Sequence, residues 1–427
     1  MNDDIGIALA TACGSEALVR AAGSADTVGG RTPGWVVAPG TVEALAAVMR
    51  TCTEQELTVV ARGEGTKLDW GQPPSTVDVL LDTGRLAGIY HHYSDDLVVT
   101  VGAGTPVRSV QAVLSRSGQR LAIDPPSSDA TIGGVLATGE AGPLRLGHGM
   151  PKDQLLGIEF VRPDGVIAHA GGRVVKNVAG YDLGKLMCGS FGTLGIITAA
   201  TFRLQPVPAA RAWVTRTVAT PLEVRDLADA VLGSPLTPAA IEVDLPPLSD
   251  APAIPHQRSD SDVPGIGTLA ILLEGSTDGV EHRVATMVAL LGGDATPHSG
   301  PPEWWGRYPF EPNAISLKIA APMADLHAAV YALRDAVGAL VAVRGSAGVG
   351  VVHAALPSNG AEAGVIDIVR HTLIARGGSC VVLDAPAGAR EVLDMWGPVP
   401  GIGLMRAVKQ QFDPRRRLAP GRFVGGI

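Results

Sequence analysis

The chain is poor in cysteine. Its 427 residues hold four, Cys13, Cys52, Cys188 and Cys380, and none stands in C-x-x-C spacing. No iron–sulfur ligand set or structural zinc site can be assembled from sequence neighbours, so free buried thiols are the expectation. Any cluster that carries electrons alongside this chain belongs to another one. No apolar run approaches the ~20 residues of a membrane-spanning helix, and MNDDIGIALA opens acidic rather than with the basic start of a signal peptide. The reading is a cytoplasmic protein without a transmembrane segment. A net charge of -8 argues against a nucleic-acid partner, because such a face needs clustered Lys and Arg to displace counterions. The run Arg415, Arg416, Arg417 is too short to change that and reads as a solvated turn. Neither G-x-x-x-x-G-K-[ST] nor a helix-opening G-x-G-x-x-G occurs in the glycine-rich segments, so Walker and Rossmann phosphate loops are excluded there.

Glycine is what the chain has in quantity, and in pattern. Between Gly172 and Thr198 the glycines Gly180, Gly184, Gly189, Gly192 and Gly195 punctuate an otherwise apolar run, the mark of bulges, positive-φ turns or close backbone approach. From Val59 to Gly71 a short β-branched strand runs into Arg62, Gly63, Glu64, Gly65, Thr66 and Lys67. Small residues in succession leave N–H groups free to converge on an anion, and Arg62 and Lys67 add positive charge beside them. From Asp124 to Gly142, Thr131, Ile132, Gly133 and Gly134 are read as a second strip of N–H donors toward the same ligand.

Val42, Leu45, Ala46 and Met49 have helical spacing behind Thr41 as N-cap, predicting a helix over Val42–Arg50. Strands are predicted over Leu57–Ala61, Val77–Asp82, Leu97–Val101 and Arg120–Ile123, with a helix over Val107–Ser117. Beyond Pro206 the glycine patterns stop. Strands at Ala212–Val218, Ala240–Leu245, Thr268–Glu274, Ile315–Ala320, Val341–Gly345, Val349–Ala355 and Ser379–Asp384 alternate with helices at Leu222–Leu232, Gly279–Leu291, Met323–Val337 and Ala361–Ala375. That alternation suits an antiparallel sheet covered on one face by helices. Ser249–Gly265 reads as a surface loop.

Taken in order, VAPGTVEALAAVMR, ARGEGTKLDWG, VTVGAGTPV, LAIDPPSSDATIGG, KNVAGYDL and KQQFDPRRRLAPGRF resemble the vanillyl-alcohol-oxidase/PCMH-type FAD-binding family. The resemblance within it is greatest to the smaller FAD-binding subunits of bacterial glycolate oxidases, where a phenylalanine, here Phe191, precedes G-T-L-G. It implies an α+β protein: a two-subdomain PCMH-type FAD-binding domain plus an α+β cap domain with an antiparallel sheet. The divisions expected are an N-terminal segment 1–30, the FAD domain 31–207, the cap 208–400, and a segment 401–427 returning to the FAD domain.

The resemblance further implies that Arg62, Gly63, Glu64, Gly65, Thr66 and Lys67 wrap the FAD pyrophosphate. Asp124, Pro125, Thr131, Ile132, Gly133 and Gly134 would support the same region or the ribityl chain. Gly192, Gly195 and Ile197 complete the expected cofactor contacts, the last two at the adenine end. Relatives with covalent flavin carry histidine where Thr66 stands, so non-covalent FAD is expected. Catalytic candidates are His148, on the loop expected to approach the flavin ring, Lys176 and His353. Lys176 and Asn177 would sit near the flavin or a subunit interface; alternatively Asp182 pairs with Lys176 or Lys185 to hold the turn.

Two departures matter. Relatives that oxidise 2-hydroxyacids carry H-x-G-D-G-x-x-H and E-H-G segments that hold a divalent metal; here the comparable run is SAGVGVVH, with only His353 retained. One imidazole does not make a metal site, so none is expected. Ala419 stands where relatives have asparagine before P-G. The favoured function is an FAD-binding oxidoreductase subunit of a glycolate oxidase-like, 2-hydroxyacid-oxidising complex. It would work beside a catalytic flavoprotein and an iron–sulfur subunit, in the cytoplasm or held at the inner membrane through those partners. The alternatives are a self-sufficient FAD-dependent dehydrogenase or oxidase of another alcohol or sugar acid, with His148 or His353 as base, and a structural subunit without redox role.

Overall fold

The computed structural model describes residues 2–172, 181–247 and 267–427. The chain divides into two compact units, one of residues 1–141, 149–207 and 398–427, the other of residues 142–148 and 208–397. Among the described residues no helix is long and apolar enough to cross a membrane.

Among the described residues the first unit has two larger sheets and one two-stranded pair. A four-stranded sheet has the order Val19–Ala21, Trp35–Val37, Val79–Asp82, Val59–Arg62. Its last three strands are parallel and so read as short apolar runs, buried on both faces. Helix Val42–Glu54 packs there because Leu45, Ala46, Val48, Met49 and Cys52 lie on its buried side, and the Thr41 hydroxyl accepts the Ala44 N–H at 3.1 Å. It extends one turn beyond the predicted end. The N-terminal helix Asn2–Cys13 contributes Leu9 and Cys13 to the same core.

The second sheet of this unit is antiparallel, with the order Ile89–Tyr93, Val98–Gly102, Ile196–Arg203, Leu155–Val161, Ile167–Gly171. The strand predicted over Arg120–Ile123 is shorter, Gln119–Arg120, paired with Gln205–Pro206. The physical reason is a side chain: Gln111 satisfies the next residues by accepting the Leu121 N–H at 3.2 Å and donating to the Ile123 carbonyl at 3.2 Å. Leu121 and Ile123 are buried without a strand partner.

Residues 398–427 complete the edge of the parallel sheet. The Val59 N–H donates to the Arg417 carbonyl at 2.7 Å, and the Ala419 N–H donates back to the Val59 carbonyl at 2.9 Å. Lys409 anchors the segment from inside. Its buried ammonium donates to the carbonyls of Thr193 (2.8 Å) and Leu418 (2.9 Å) and to Asp413 (2.7 Å).

The other unit is an eight-stranded antiparallel sheet whose helices Pro221–Leu232, Thr277–Leu291, Leu326–Val337 and Glu362–Ile374 share one core with alternate strand residues such as Ile241, Val243, Leu245, Ile315, Leu317 and Ile319. Period-2 and period-3.6 patterns converge on that core. A short edge strand, Thr296–His298, carries no such pattern, being exposed throughout, and escaped the sequence reading.

Candidate FAD site

Strand Val59–Arg62 ends at a loop over a cleft in the first unit. The cleft measures about 500 Å³ with its open mouth. It is lined by residues 61–68, by Thr131, Gly134, Ala137 and Thr138, by Phe191 and Gly192, and by Arg422. This places it at the carboxyl end of a parallel strand, where open α/β sheets leave a crevice for ligands.

The loop's electrostatics differ from the sequence reading. Arg62 does not present its charge to the cleft: its guanidinium donates to Asp26 at 2.8 Å and to Asp82 at 2.6 and 3.1 Å. Lys67 is likewise matched, its ammonium 2.6 Å from Glu140, with the side chains 5 % and 0 % exposed. What remains is backbone. Among the described residues, no group accepts the N–H of Glu64, Gly65, Thr66 or Lys67, all four of which line the cleft. Successive unbonded N–H groups around a positive-φ residue, here Gly65 at φ +78, make an anion-binding concavity.

The second glycine strip behaves otherwise. The N–H groups of Ile132, Gly133 and Gly134 are consumed inside the fold, by the Thr105 carbonyl (2.9 Å), the Ala103 carbonyl (2.8 Å) and the Thr131 hydroxyl (3.2 Å). They open the helix Ile132–Thr138, with Thr131 as N-cap. Gly63 is glycine because a Cβ would overlap the Thr131 side chain, and Gly133 because a Cβ would come within 2.9 Å of Ala103 Cβ. Thr131 and Gly134 still face the cleft, so this strip supplies wall rather than donors.

Asp124 and Pro125 are half-buried on the preceding loop and are not among the cleft's lining residues. Neither are Gly195 and Ile197: a Cβ on Gly195 would lie 2.8 Å from the Phe160 ring, and Ile197 is buried in the core. Gly192 does line the cleft, at φ +72 with no protein atom within 4 Å of a would-be Cβ. Lys176, with Asn177, lies outside the described residues. Tyr181 is exposed, and Asp182 caps the helix Leu183–Met187 through the Lys185 N–H (3.0 Å) and pairs with the Lys185 ammonium at 3.3 Å.

Arg422 and Phe191 are cleft residues that the sequence reading did not place. The buried Arg422 guanidinium donates to the carbonyls of Lys67 (2.6 Å) and Leu68 (3.0 Å). Burial lowers its pKa to about 10, with the Asp69 charge opposing. Phe191 holds an unusual φ of +55 and stacks on Phe423, with ring centroids 5.5 Å apart. The legible signals were Phe191 itself, standing before G-T-L-G, and the terminal APGRF run.

In the other unit, His148 Nε2 lies 3.2 Å from Glu274, whose second oxygen meets Arg211 at 2.9 Å. His353 is buried against Tyr308, at 4.7 Å between ring centroids, and Phe310, at 6.0 Å. Burial, then the charges of Arg145 and Lys318, push its pKa well below the ordinary histidine range, so the ring is neutral at pH 7.

Comparison with known proteins bears on what this cleft could hold. The family model described as an FAD binding domain matches residues 33–171, which include both glycine strips. The fold is similar to that of p-cresol methylhydroxylase with substrate bound, at a TM-score of 0.74 and 17 % identity, over 98 % of this chain and 96 % of that one. Residues 33–171 therefore match an FAD-binding domain, and the fold of the chain is of the PCMH type. It is 33 % identical over 189 residues to the glycolate oxidase subunit GlcE of Escherichia coli, covering 44 % of this chain and 53 % of that protein. It is 34 % identical over 171 residues to a D-lactate dehydrogenase of Archaeoglobus fulgidus, covering 40 % of this chain and 38 % of that one. The matches thus span about a third to a half of the relatives' lengths. The cleft fits the cofactor: unbonded N–H groups suit a pyrophosphate, and Gly192 leaves room that a Cβ would fill. When bound, the flavin supplies hydride and electron acceptance, and the protein sets its position.

Proposed function

We propose that this chain is an FAD-dependent oxidoreductase of the 2-hydroxyacid class, serving as the FAD-binding subunit of a glycolate oxidase-like complex. Its flavin relays electrons beside a catalytic flavoprotein and an iron–sulfur subunit, and the FAD is held non-covalently, with Thr66 at the position that would need a nucleophile. The similarity to a protein named as a glycolate oxidase subunit supports the class and the assembly. The observation that favours relay over self-sufficient catalysis is the setting of His353. This imidazole, the one retained from the metal-binding pattern, is buried between two aromatic rings, and its neighbouring charges, Arg145 and Lys318, repel a cation. A divalent metal needs several converging ligands and no adjacent cations. The self-sufficient alternative rests on His148, whose contact with Glu274 would orient it as a base.

The test is the visible spectrum of the purified full chain, recorded without oxygen before and after adding glycolate or D-lactate. Flavin bands that persist with either acid, and bleach only when partner subunits are added, are the expected result. Prompt bleaching of the isolated chain would overturn the relay role. Colourless protein after incubation with FAD would overturn the cofactor assignment and leave the structural-subunit reading.

A further inference from the structure

On the reading of the cleft as the FAD site, the buried charge pair of Lys67 and Glu140 acquires a role. Lys67 lines the cleft, yet its ammonium lies 2.6 Å from Glu140 and donates to the Thr66 hydroxyl at 3.1 Å. The other Glu140 oxygen accepts from the Ser127 N–H (3.1 Å) and hydroxyl (2.7 Å). Glu140 follows directly on the helix Ile132–Thr138 and its C-cap Gly139. One carboxylate therefore ties the phosphate loop, the Ser127 segment and the end of that helix together.

We propose that Glu140 is a positioning residue for FAD: it draws the Lys67 ammonium behind the loop and so fixes residues 64–67 with their N–H groups open to the pyrophosphate. Lys67 is then a strut and not a phosphate ligand. The alternative is that Lys67 swings out to the phosphates when FAD binds. That exchange would break a fully buried charge pair, and removing one partner of such a pair is strongly unfavourable. A strut avoids that penalty.

The two roles predict opposite results for one substitution. FAD binding to the apo full chain is followed by quenching of flavin fluorescence for wild type, Glu140→Gln, Lys67→Met and the double variant, with thermal melts of each apo protein. A positioning pair predicts that Glu140→Gln and Lys67→Met each weaken FAD roughly tenfold, and that the double variant is no weaker than either single one, because both report the same coupled interaction. A phosphate-binding Lys67 predicts that Glu140→Gln leaves affinity unchanged or tightens it while Lys67→Met weakens it, which would overturn the proposal. Should Glu140→Gln fail to fold, wild type decides. A strut gives an FAD affinity that varies little with salt, whereas a lysine on the phosphates gives one that falls as salt screens it, the overturning result. Wild-type chain that takes up no FAD would instead defeat the cofactor reading itself.

Discussion

The loop at residues 62–67 and the strip at 131–134 look alike in sequence, each small, glycine-rich and set after a predicted strand, yet they do opposite things with their backbones. The first leaves four successive N–H groups unbonded among the described residues and matches both of its cations with carboxylates. The second spends its N–H groups inside the fold, on the Thr105 and Ala103 carbonyls and on the Thr131 hydroxyl that caps a helix. Glycine in a run therefore does not by itself mark a ligand. Gly63 and Gly133 are small because another part of the same domain occupies the space, so their presence does not distinguish a cofactor-bearing subunit from an empty one. Gly192, whose missing side chain opens onto the cleft, does bear on that question.

The largest effect that separates the two segments is expected at Gly133. Alanine there must displace Ala103, whose Cβ would lie at 2.9 Å and carbonyl oxygen at 3.1 Å. Overpacking of this kind costs about 3 kcal/mol at its upper range. Gly133→Ala should lower the melting temperature markedly while the folded fraction binds FAD as wild type does, and Ala103→Gly in the same chain should recover part of the loss. A folded Gly133→Ala protein of wild-type stability and weakened FAD binding would mean that the second strip is a ligand contact after all.

The next effect concerns the charge behind the first loop. Asp26 is held below the usual carboxylate range, first by the hydrogen bond from Arg20, then by the Gly23 N–H and by Arg62. A depressed folded pKa means stability that is present above the unfolded value, near 4, and is lost as pH falls through the folded one. For a carboxylate this well buried the contribution at neutral pH is on the order of 2 kcal/mol. Asp26→Asn should cost about that at pH 7 and should flatten the fall in stability between neutral and acidic pH, read by denaturant titration at several pH values. An unchanged acid profile would remove Asp26 as the group that fixes Arg62.

What could be read from the sequence follows the range of the interactions. Helix Val42–Glu54 was legible because its cap, its apolar stripe and its strand neighbour all lie within one short stretch. The strands and helices of the second unit were legible for the same reason, their periodicities being local. The order of the glycine segments was enough to resemble an FAD-binding family. The charges of Arg62 and Lys67 were misread because their partners Asp26, Asp82 and Glu140 stand far off in sequence and nothing local announces them. Arg422, which fixes the back of the loop from the other end of the chain, was hidden by distance in the same way. The short strand at Gln119–Arg120 failed for a different cause, since a single glutamine side chain replaced the strand partner that an apolar run implies.

The smallest change in stability is expected where the effect on the ligand should be greatest. At φ +72, Gly192 is in the left-handed region, so alanine there costs about 1 kcal/mol of backbone strain. Its Cβ would meet no protein atom within 4 Å, so no packing penalty adds to that figure. The methyl group would instead occupy space in the cleft that Gly192 lines. Gly192→Ala should therefore shift the melting temperature of the apo protein slightly and weaken FAD binding roughly tenfold, a loss equal to about 1.4 kcal/mol that apo stability does not register. The reverse pattern, a large loss of apo stability with FAD affinity preserved, would put Gly192 with Gly133 as a residue of the fold and leave residues 64–67 as the cleft's sole backbone determinant of cofactor binding.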